Sequence, residues 1–267
     1  MSDLVLANEL AIRLASFLGI FAAMGLWEIV LPRRRTMLGR WRRWPGNLGI
    51  LAVDVLAVRL VFPAAAVGFA VVAERNGIGL FHAAGAPAWL AVPAAVLALD
   101  MVIYFQHRAF HAVPALWRLH RMHHADQEFD LTTGGRFHPV EILLSMLIKA
   151  AAIFALGAPA AGVLIFEVLL NGTAIFNHGN VRMPGGLDRA LRSVLVTPDM
   201  HFVHHSTLRR EHDSNFGFSL SWWDRIFATY TPRPSAGYDG MTVGLDYFRE
   251  ARDQGLVRML IQPFRPR

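Results

Sequence analysis

Long apolar runs alternate with short polar segments along the chain. Apolar residues dominate Leu4–Pro32, Leu48–Val72 and Trp89–Phe105. Each run is long enough to cross the hydrocarbon core of a bilayer as a helix, which takes roughly 17–25 residues. Two shorter apolar segments, Ile142–Ala155 and Ala161–Phe176, follow. The pattern predicts an all-α integral membrane bundle with about three to five membrane-embedded helices, the last two forming either a re-entrant hairpin or a tilted pair.

The polar segments between these runs suggest how the chain is oriented. Arginine is concentrated between the first two runs, with Trp41 and Trp44 among the basic residues: Arg33, Arg34, Arg35, Arg40, Arg42 and Arg43. This mixture is typical of a cytoplasmic loop that follows the positive-inside rule, so we expect no nucleic-acid partner. The third run then ends in the cytoplasm, and from Val181 onward a polar, Arg-rich segment predicts a cytoplasmic cap.

Composition supports a membrane protein and limits its chemistry. Of 267 residues, 54% are hydrophobic and only 17% are charged, which is unusual for a soluble domain. We expect one membrane domain over residues 1–267, and the first apolar run is too long for a cleavable signal peptide. The chain has no cysteine, so disulfides, thiolate metal ligands and cysteine nucleophiles are excluded.

Histidine spacing provides the strongest chemical signal. His107 and His111 are four residues apart, and an HxxHH pattern occurs twice, as His120, His123 and His124 and again as His201, His204 and His205. On a helix, these spacings place the imidazoles of each cluster on one face. Neutral imidazole is the commonest protein metal ligand, so eight positioned rings predict a two-metal, histidine-only site at the membrane face.

Asp100 lies in the third apolar run, one to two helical turns before the first histidine pair. An intramembrane carboxylate at this distance is a natural hydrogen-bond acceptor for ligand imidazoles. The alternative is an ion pair with Arg59 or Arg108, and the sequence leaves both interpretations open.

The segments HRAFH, WRLHRMHH, FNHGNV, TPDMHFVHHS, DSNFG and WWDRIFATY together resemble the fatty acid hydroxylase/sterol desaturase superfamily over about residues 100–230. The resemblance implies a membrane-bound non-haem di-iron oxygenase that uses O2 and two electrons to hydroxylate or desaturate a lipid C–H bond. It implies that the eight clustered histidines are iron ligands and that His178 is a ninth.

The resemblance leaves a tenth ligand position undecided, because Arg182 stands where some relatives have a further histidine. His138 and His212 are the candidates for this position. Asp199, Asp213 and Asn180 are candidates for metal binding or for orienting the ligand imidazoles.

The same resemblance implies partners. The chain has Met183-Pro184-Gly185-Gly186 where cytochrome b5-fused relatives have a haem-binding His-Pro-Gly-Gly motif. Electrons are therefore expected from a separate ferredoxin or cytochrome b5-like protein with its reductase. The substrate is expected to be a sterol or hopanoid, a fatty acyl chain, an ether lipid or a carotenoid, and hydroxylation is preferred over desaturation.

Two other functions also fit part of the pattern. A membrane metal-binding or transport protein would place its ligands near the bilayer midplane, whereas these histidines follow the spans or lie in the cap. A zinc-dependent membrane hydrolase is disfavoured because the chain lacks an HExxH motif and places no glutamate as a general base beside paired histidines.

Overall fold

A computed structural model describes residues 6–266 as an all-helical protein. The membrane-proximal helices are α1 (Glu9–Val30), α2 (Arg40–Val61), α3 (Ala65–Arg75), α4 (Leu80–Ala83), α5 (Ala88–Ala112), α6 (Pro114–His124), α7 (Pro139–Leu156) and α8 (Ala160–Asn177). The cap contains α9 (Gly185–Leu191), α10 (Pro198–His204), α11 (Arg209–His212), α12 (Trp222–Ile226), α13 (Gly237–Gly240) and α14 (Leu256–Ile261). Short 3-10 turns cover Thr133–Gly135, Ala251–Gln254 and Gln262–Phe264. Within residues 6–266 there are isolated β-bridges but no strand, which confirms the predicted all-α class.

Within residues 6–266, five stretches are long and apolar enough to cross a membrane: α1, the run Arg40–Ala83, α5, α7 and α8. This agrees with the predicted three to five embedded helices. The predicted start of the first run, Leu4, lies outside the described residues. The second predicted run is not one helix, because α2 ends at Val61 and α3 begins at Ala65 on either side of Pro63. Proline has no N–H and clashes with the preceding turn, so it ends the helix.

The last two apolar segments form helices of 18 residues each, longer than predicted. The turn between them begins at Gly157, whose φ of +64° is the left-handed conformation that ends α7. A Cβ at this position would lie 2.5 Å from the carbonyl oxygen of Ile78, so only glycine fits. The two helices pack together with α3 and α5 through small residues such as Ala66, Ala95 and Ala160, which allow close approach.

A buried ion cluster joins the start of α2 to the segment that follows α6. Arg43 Nε and Nη2 donate to the two carboxylate oxygens of Asp126, each at 2.6 Å, and Nη1 donates to Asp130 at 2.7 Å. The side chains of Arg43 and Asp126 are fully buried. Burial alone would raise the pKa of Asp126, but Arg43 and Arg136 outweigh it and hold that pKa well below its usual range. Part of the arginine segment is therefore interior structure that fixes the segment after α6 to α2.

We expect Arg43→Met to destabilise the protein, because it leaves two buried carboxylates without their cation. Removing one partner of a buried ion pair typically costs about 3–5 kcal/mol, which corresponds to roughly 10 °C in Tm. Thermal unfolding of the detergent-solubilised protein measures the shift. The control is Arg42→Met at the exposed neighbouring position. Equal Tm values for the two variants would contradict this account of the cluster.

Candidate metal centre

Four helices bring nine histidines into one buried space between the bundle and the cap. The end of α5 carries His107 and His111, and a bend at Val113 and Pro114 folds α6 back against it. Helix α6 carries His120, His123 and His124, His178 follows the last residue of α8, and α10 with the next residue supplies His201, His204 and His205. All nine side chains are buried, the rim residue His111 keeping 2% side-chain exposure.

The nine side chains fall into two groups. The five-histidine group contains His107, His111, His120, His124 and His204, and the four-histidine group contains His123, His178, His201 and His205. Within each group, one nitrogen of each ring lies within 4.8 Å of the others. The eight histidines of the spacing pattern and His178 are thus brought together as predicted, although their binding of metal stays a prediction.

Backbone carbonyls fix the protonation of several rings. A carbonyl oxygen only accepts, so the ring nitrogen facing it must carry the proton. The Nδ1–H groups of four rings donate in this way: His107 to Phe216 at 2.9 Å, His123 to Arg136 at 3.2 Å, His178 to Ala174 at 2.8 Å and His204 to Ser214 at 2.7 Å. In a neutral imidazole the other nitrogen, Nε2, then has only a lone pair to offer.

The Nε2 atoms of His123 and His178 face each other at 3.2 Å. Because both rings carry their proton on Nδ1, neither Nε2 can donate, and two lone pairs point at one another. Other buried ring nitrogens have no hydrogen-bond partner among residues 6–266, including His124 Nδ1, His204 Nε2 and both nitrogens of His205. Converging lone pairs without donors are the arrangement that a cation stabilises, so the donor set fits metal ions.

The protonation state of the rings also favours metal binding. Burial lowers the pKa of His120 to about 3, and burial together with neighbouring imidazoles lowers that of His178 to about 3. The pKa values of His123, His201 and His205 are well below the usual value for the same reasons. Desolvation disfavours the charged form of an imidazole, so these rings stay neutral at physiological pH and keep a lone pair for a metal.

Glu141 is a site residue that the sequence analysis missed. Its Oε1 lies 2.7 Å from His120 Nδ1, and the side chains are 5% and 2% exposed. A carboxylate in this position holds the tautomer and orientation of the ring and leaves Nε2 directed toward His107 at 3.1 Å. The sequence signal that could have identified Glu141 is its position in the first turn of an apolar helix. A carboxylate there is costly in lipid, so it is expected to have a specific partner inside the protein.

A cavity of about 340 Å³ lies among α1, α2, α5, α7 and α8, and its lining includes residues that contact the histidines. Phe137 lines it and stacks on His123, with ring centroids 4.6 Å apart and 7° between the planes. Gly134 also lines it, and a Cβ at this position would lie 3.2 Å from His178 Nδ1. Val55, which is 55% exposed on α2, forms part of the wall, so the cavity reaches the lipid-facing surface. Its size is within the range of small-molecule sites.

Comparison with known proteins agrees with this geometry. The model of the fatty acid hydroxylase family matches residues 92–229, just over half of the chain. The chain belongs to the fatty acid hydroxylase family. This confirms the predicted family and the predicted class of enzyme, an O2-dependent oxidoreductase that acts on lipids.

Individual relatives of this family member differ in coverage. The ornithine lipid hydroxylase OlsE of Rhizobium tropici is 28% identical over 259 residues, covering 93% of this chain and 74% of that protein. Alkylglycerol monooxygenases of Xenopus tropicalis and Homo sapiens are 27% and 26% identical, over 57% and 60% of this chain. The matched regions cover only 33% and 35% of those two longer proteins. No solved structure matches the chain.

The structure gives Asp100 a different role from the predicted one. Its Oδ2 accepts from the backbone N–H of Leu220 at 3.2 Å and from Trp223 Nε1 at 2.8 Å. The carboxylate binds neither a ligand imidazole nor Arg59 or Arg108, because the cap segment folds down onto this part of α5. Asp100 therefore anchors the cap to the bundle of this hydroxylase-family protein.

Three other candidates also serve the scaffold instead of contacting the histidine groups. His138 Nδ1 accepts from the N–H of Val140 at the start of α7, and Nε2 donates to the carbonyl of Leu260 at 3.2 Å. Asp199 pairs with Arg33 at 2.9 Å. Asn180 exchanges two hydrogen bonds with the backbone of Arg34. The structure therefore does not bring these three residues together with the two histidine groups, and their roles at the metal centre stay untested predictions.

Asp213 and His212 lie at the outer edge of the five-histidine group. Asp213 Oδ1 is 3.3 Å from His111 Nδ1, as expected for a carboxylate that orients a ligand ring. His212 forms a small peripheral group with His111 and Asp213. Its ring stacks on that of Trp117, with ring centroids 5.3 Å apart and 11° between the planes. His212 thus adjoins the five-histidine group through His111 without belonging to it, and it stays only a candidate ligand.

We expect Glu141→Leu to weaken metal binding by roughly 10–100-fold, the usual effect of removing an acceptor behind a ligand histidine. Glu141→Gln should lose less, because its amide oxygen still accepts from His120 Nδ1. Metal affinity measured by competition with a chelator checks this order. Val140→Ala, at an exposed neighbouring position, controls for general disturbance of α7. Equal affinities in the Leu and Gln variants would refute the orienting hydrogen bond.

Proposed function

We propose that the protein is a membrane-bound non-haem di-iron oxygenase that hydroxylates a C–H bond of a lipid. The observation that carries the proposal is that two unprotonated Nε2 atoms face each other in the five-histidine group, His107 and His120 at 3.1 Å, and that the Nε2 atoms of His123 and His178 do so at 3.2 Å in the four-histidine group. We propose His107, His111, His120, His124 and His204 as ligands of one iron, and His123, His178, His201 and His205 as ligands of the other. The protein then acts as a single membrane domain whose catalytic region covers about residues 100–230.

Iron is preferred over zinc because of the reaction that the family name implies. Bound iron supplies the redox chemistry with O2 that attack on an unactivated C–H bond requires. The chain's own residues hold five of the rings in place. Carbonyl oxygens or Glu141 accept from their Nδ1 atoms on the outside, so their Nε2 atoms stay directed inward: His107, His120, His123, His178 and His204. Burial of all nine side chains keeps bulk water away from the reacting atoms.

The cavity supports a lipid substrate. It runs from the lipid-facing surface of α2 to Phe137 and Gly134 beside the histidines. A lipid that enters there places one part of itself next to the centre, and such positioning is the main contribution of the scaffold to the rate. The relatives named ornithine lipid hydroxylase and alkylglycerol monooxygenase point to hydroxylation of a lipid in preference to desaturation.

One observation in the structure bears on the alternative function, a zinc-dependent membrane hydrolase. The sequence pattern predicts no glutamate beside paired histidines, yet Glu141 contacts His120. The contact is at Nδ1, on the opposite side of the ring from the converging Nε2 atoms, so Glu141 is placed to orient the ligand and not to act as a base at the centre. The metal-transport rival predicts ligands along a path through the spans, whereas this donor set is enclosed between bundle and cap.

Electron supply and orientation complete the proposal. A separate ferredoxin or cytochrome b5-like protein with its reductase is proposed as the donor, and cytoplasmic reductants favour a cytoplasmic cap. The arginine segment between α1 and α2 supports the same orientation.

Iron content tests the metal centre. Protein purified anaerobically from iron-57-grown cells should contain about two irons per chain, coupled in the Mössbauer spectrum and reoxidised by O2. His124→Ala should lower iron content and abolish lipid hydroxylation while leaving membrane insertion intact. His138→Ala, which removes a histidine outside both groups, should keep its iron. Zinc without iron, or full activity in His124→Ala, would overturn the proposal.

Cysteine labelling tests the orientation, since the chain has no cysteine of its own. Arg209 is exposed in the cap, and Ala84 is exposed just before α5, a helix about 37 Å long that ends at the histidines. A membrane-impermeant maleimide should label Ala84→Cys but not Arg209→Cys in intact cells, and both after permeabilisation. Labelling of Arg209→Cys in intact cells would place the cap outside.

A further inference from the structure

The cavity beside the histidines has an unusual polar lining for a site within membrane helices. Four carboxylates and three cations line it: Glu9, Asp54, Glu141, Glu167, Arg13, Arg59 and Lys149. Charged side chains are costly in lipid and normally pair with each other. Which of them are paired decides what the cavity can bind.

In one part of the lining, the charged side chains pair with one another. Glu167 accepts from Arg13 at 2.6 Å and from Lys149 at 2.9 Å, and Arg13 also donates to Glu9 at 2.8 Å. These residues form a closed ion network. Lys149 lies eight residues after Glu141 on α7, so the network is about 12 Å along the helix from the residue that contacts His120.

In the part of the lining around Asp54 and Glu141, buried oxygen atoms lack hydrogen-bond donors. Asp54 is 4% exposed, and neither of its carboxylate oxygens has a hydrogen-bond partner in the described part of the chain. Glu141 Oε2 and Gln106 Oε1 are also buried without a partner. All of these atoms are acceptors. Arg59, on the same helix as Asp54, is exposed and forms no ion pair with it among the described residues.

A set of buried acceptors without donors requires a group that brings donors. An ammonium group has three N–H donors and a positive charge, and it matches a carboxylate flanked by further acceptors. With a neutral or anionic group, Asp54 would either stay an unpaired buried charge, which is costly, or take up a proton; only a cation pairs the carboxylate in its charged form.

We propose that the cavity binds the ammonium group of an amine-bearing lipid, with Asp54 as its counter-charge and Glu141 Oε2 and Gln106 Oε1 as further acceptors. The proposal rests on the function proposed above for the lipid nature of the substrate. Glu141 contacts the substrate cation and His120 with different oxygens, so the amine-bearing end of the lipid lies at the histidine end of the cavity. Asp54 acts here as a binding residue that selects the substrate.

The test compares two probes that differ only in the ammonium group, N-palmitoyl-ornithine and N-palmitoyl-norvaline. Their Kd values are measured by calorimetry on the full-length protein in nanodiscs of zwitterionic lipid. We expect the wild type to bind the ornithine probe at least roughly 10-fold more tightly, since one buried charge-assisted contact distinguishes them. Asp54→Asn should bind the two probes about equally, whereas Asp54→Glu, which restores the charge, should regain part of the preference.

Asp239→Asn is the matched control, because it removes an exposed carboxylate outside this cavity and should keep the wild-type preference. Equal binding of both probes by the wild type overturns the proposal without any variant, and so does an undiminished preference in Asp54→Asn. Iron content is measured on the same samples. If the protein contains iron but binds both probes equally, the ammonium subsite is refuted and the proposed oxygenase function is not. If the protein prefers the ornithine probe but takes up no iron, the subsite is supported and the oxygenase function is refuted.

Discussion

The nine imidazoles must be buried as neutral rings with their lone pairs turned toward one another, and most of the architecture follows from that constraint. Facing lone pairs repel, so the rings keep this arrangement only if their other nitrogens are held from outside. The carbonyls of Phe216, Arg136, Ala174 and Ser214 and the carboxylate of Glu141 provide this hold for five of the nine rings. They belong to separated parts of the chain, so the centre exists only when the cap is closed on the bundle.

Polar contacts provide that closure. Arg33 pairs with Asp199 of α10, and Asp100 receives hydrogen bonds from Leu220 and Trp223. Residues that resemble membrane-surface charges in the sequence thus lie at the junction of cap and membrane helices. In a low-dielectric junction each satisfied polar contact is strong and each unsatisfied one is costly, so the junction favours one relative position of cap and bundle.

In the cavity next to the histidine groups, some buried charges are paired and others are not. Its network around Glu167 is complete, whereas Asp54 and the free oxygen of Glu141 lack donors. A complete network supports the fold, and an incomplete one provides specificity because only a suitable substrate completes it. Glu141 belongs to both the centre and the cavity, since one oxygen orients His120 and the other faces no partner. Substrate recognition and metal geometry therefore share one side chain.

Local pattern was enough to predict the helical membrane class, the eight clustered histidines and the family, because apolar run length and i, i+3, i+4 spacing are short-range properties. The sequence by itself also determined that any metal must be held without thiolates, because it contains no cysteine. Only the tertiary structure divided nine histidines into two groups and brought Glu141 to His120 across 21 residues of chain. It also turned Asp100, His138, Asp199 and Asn180 toward the scaffold, since hydrogen-bond partners are chosen by which segments meet in space. Residue type and spacing carry no information about that choice.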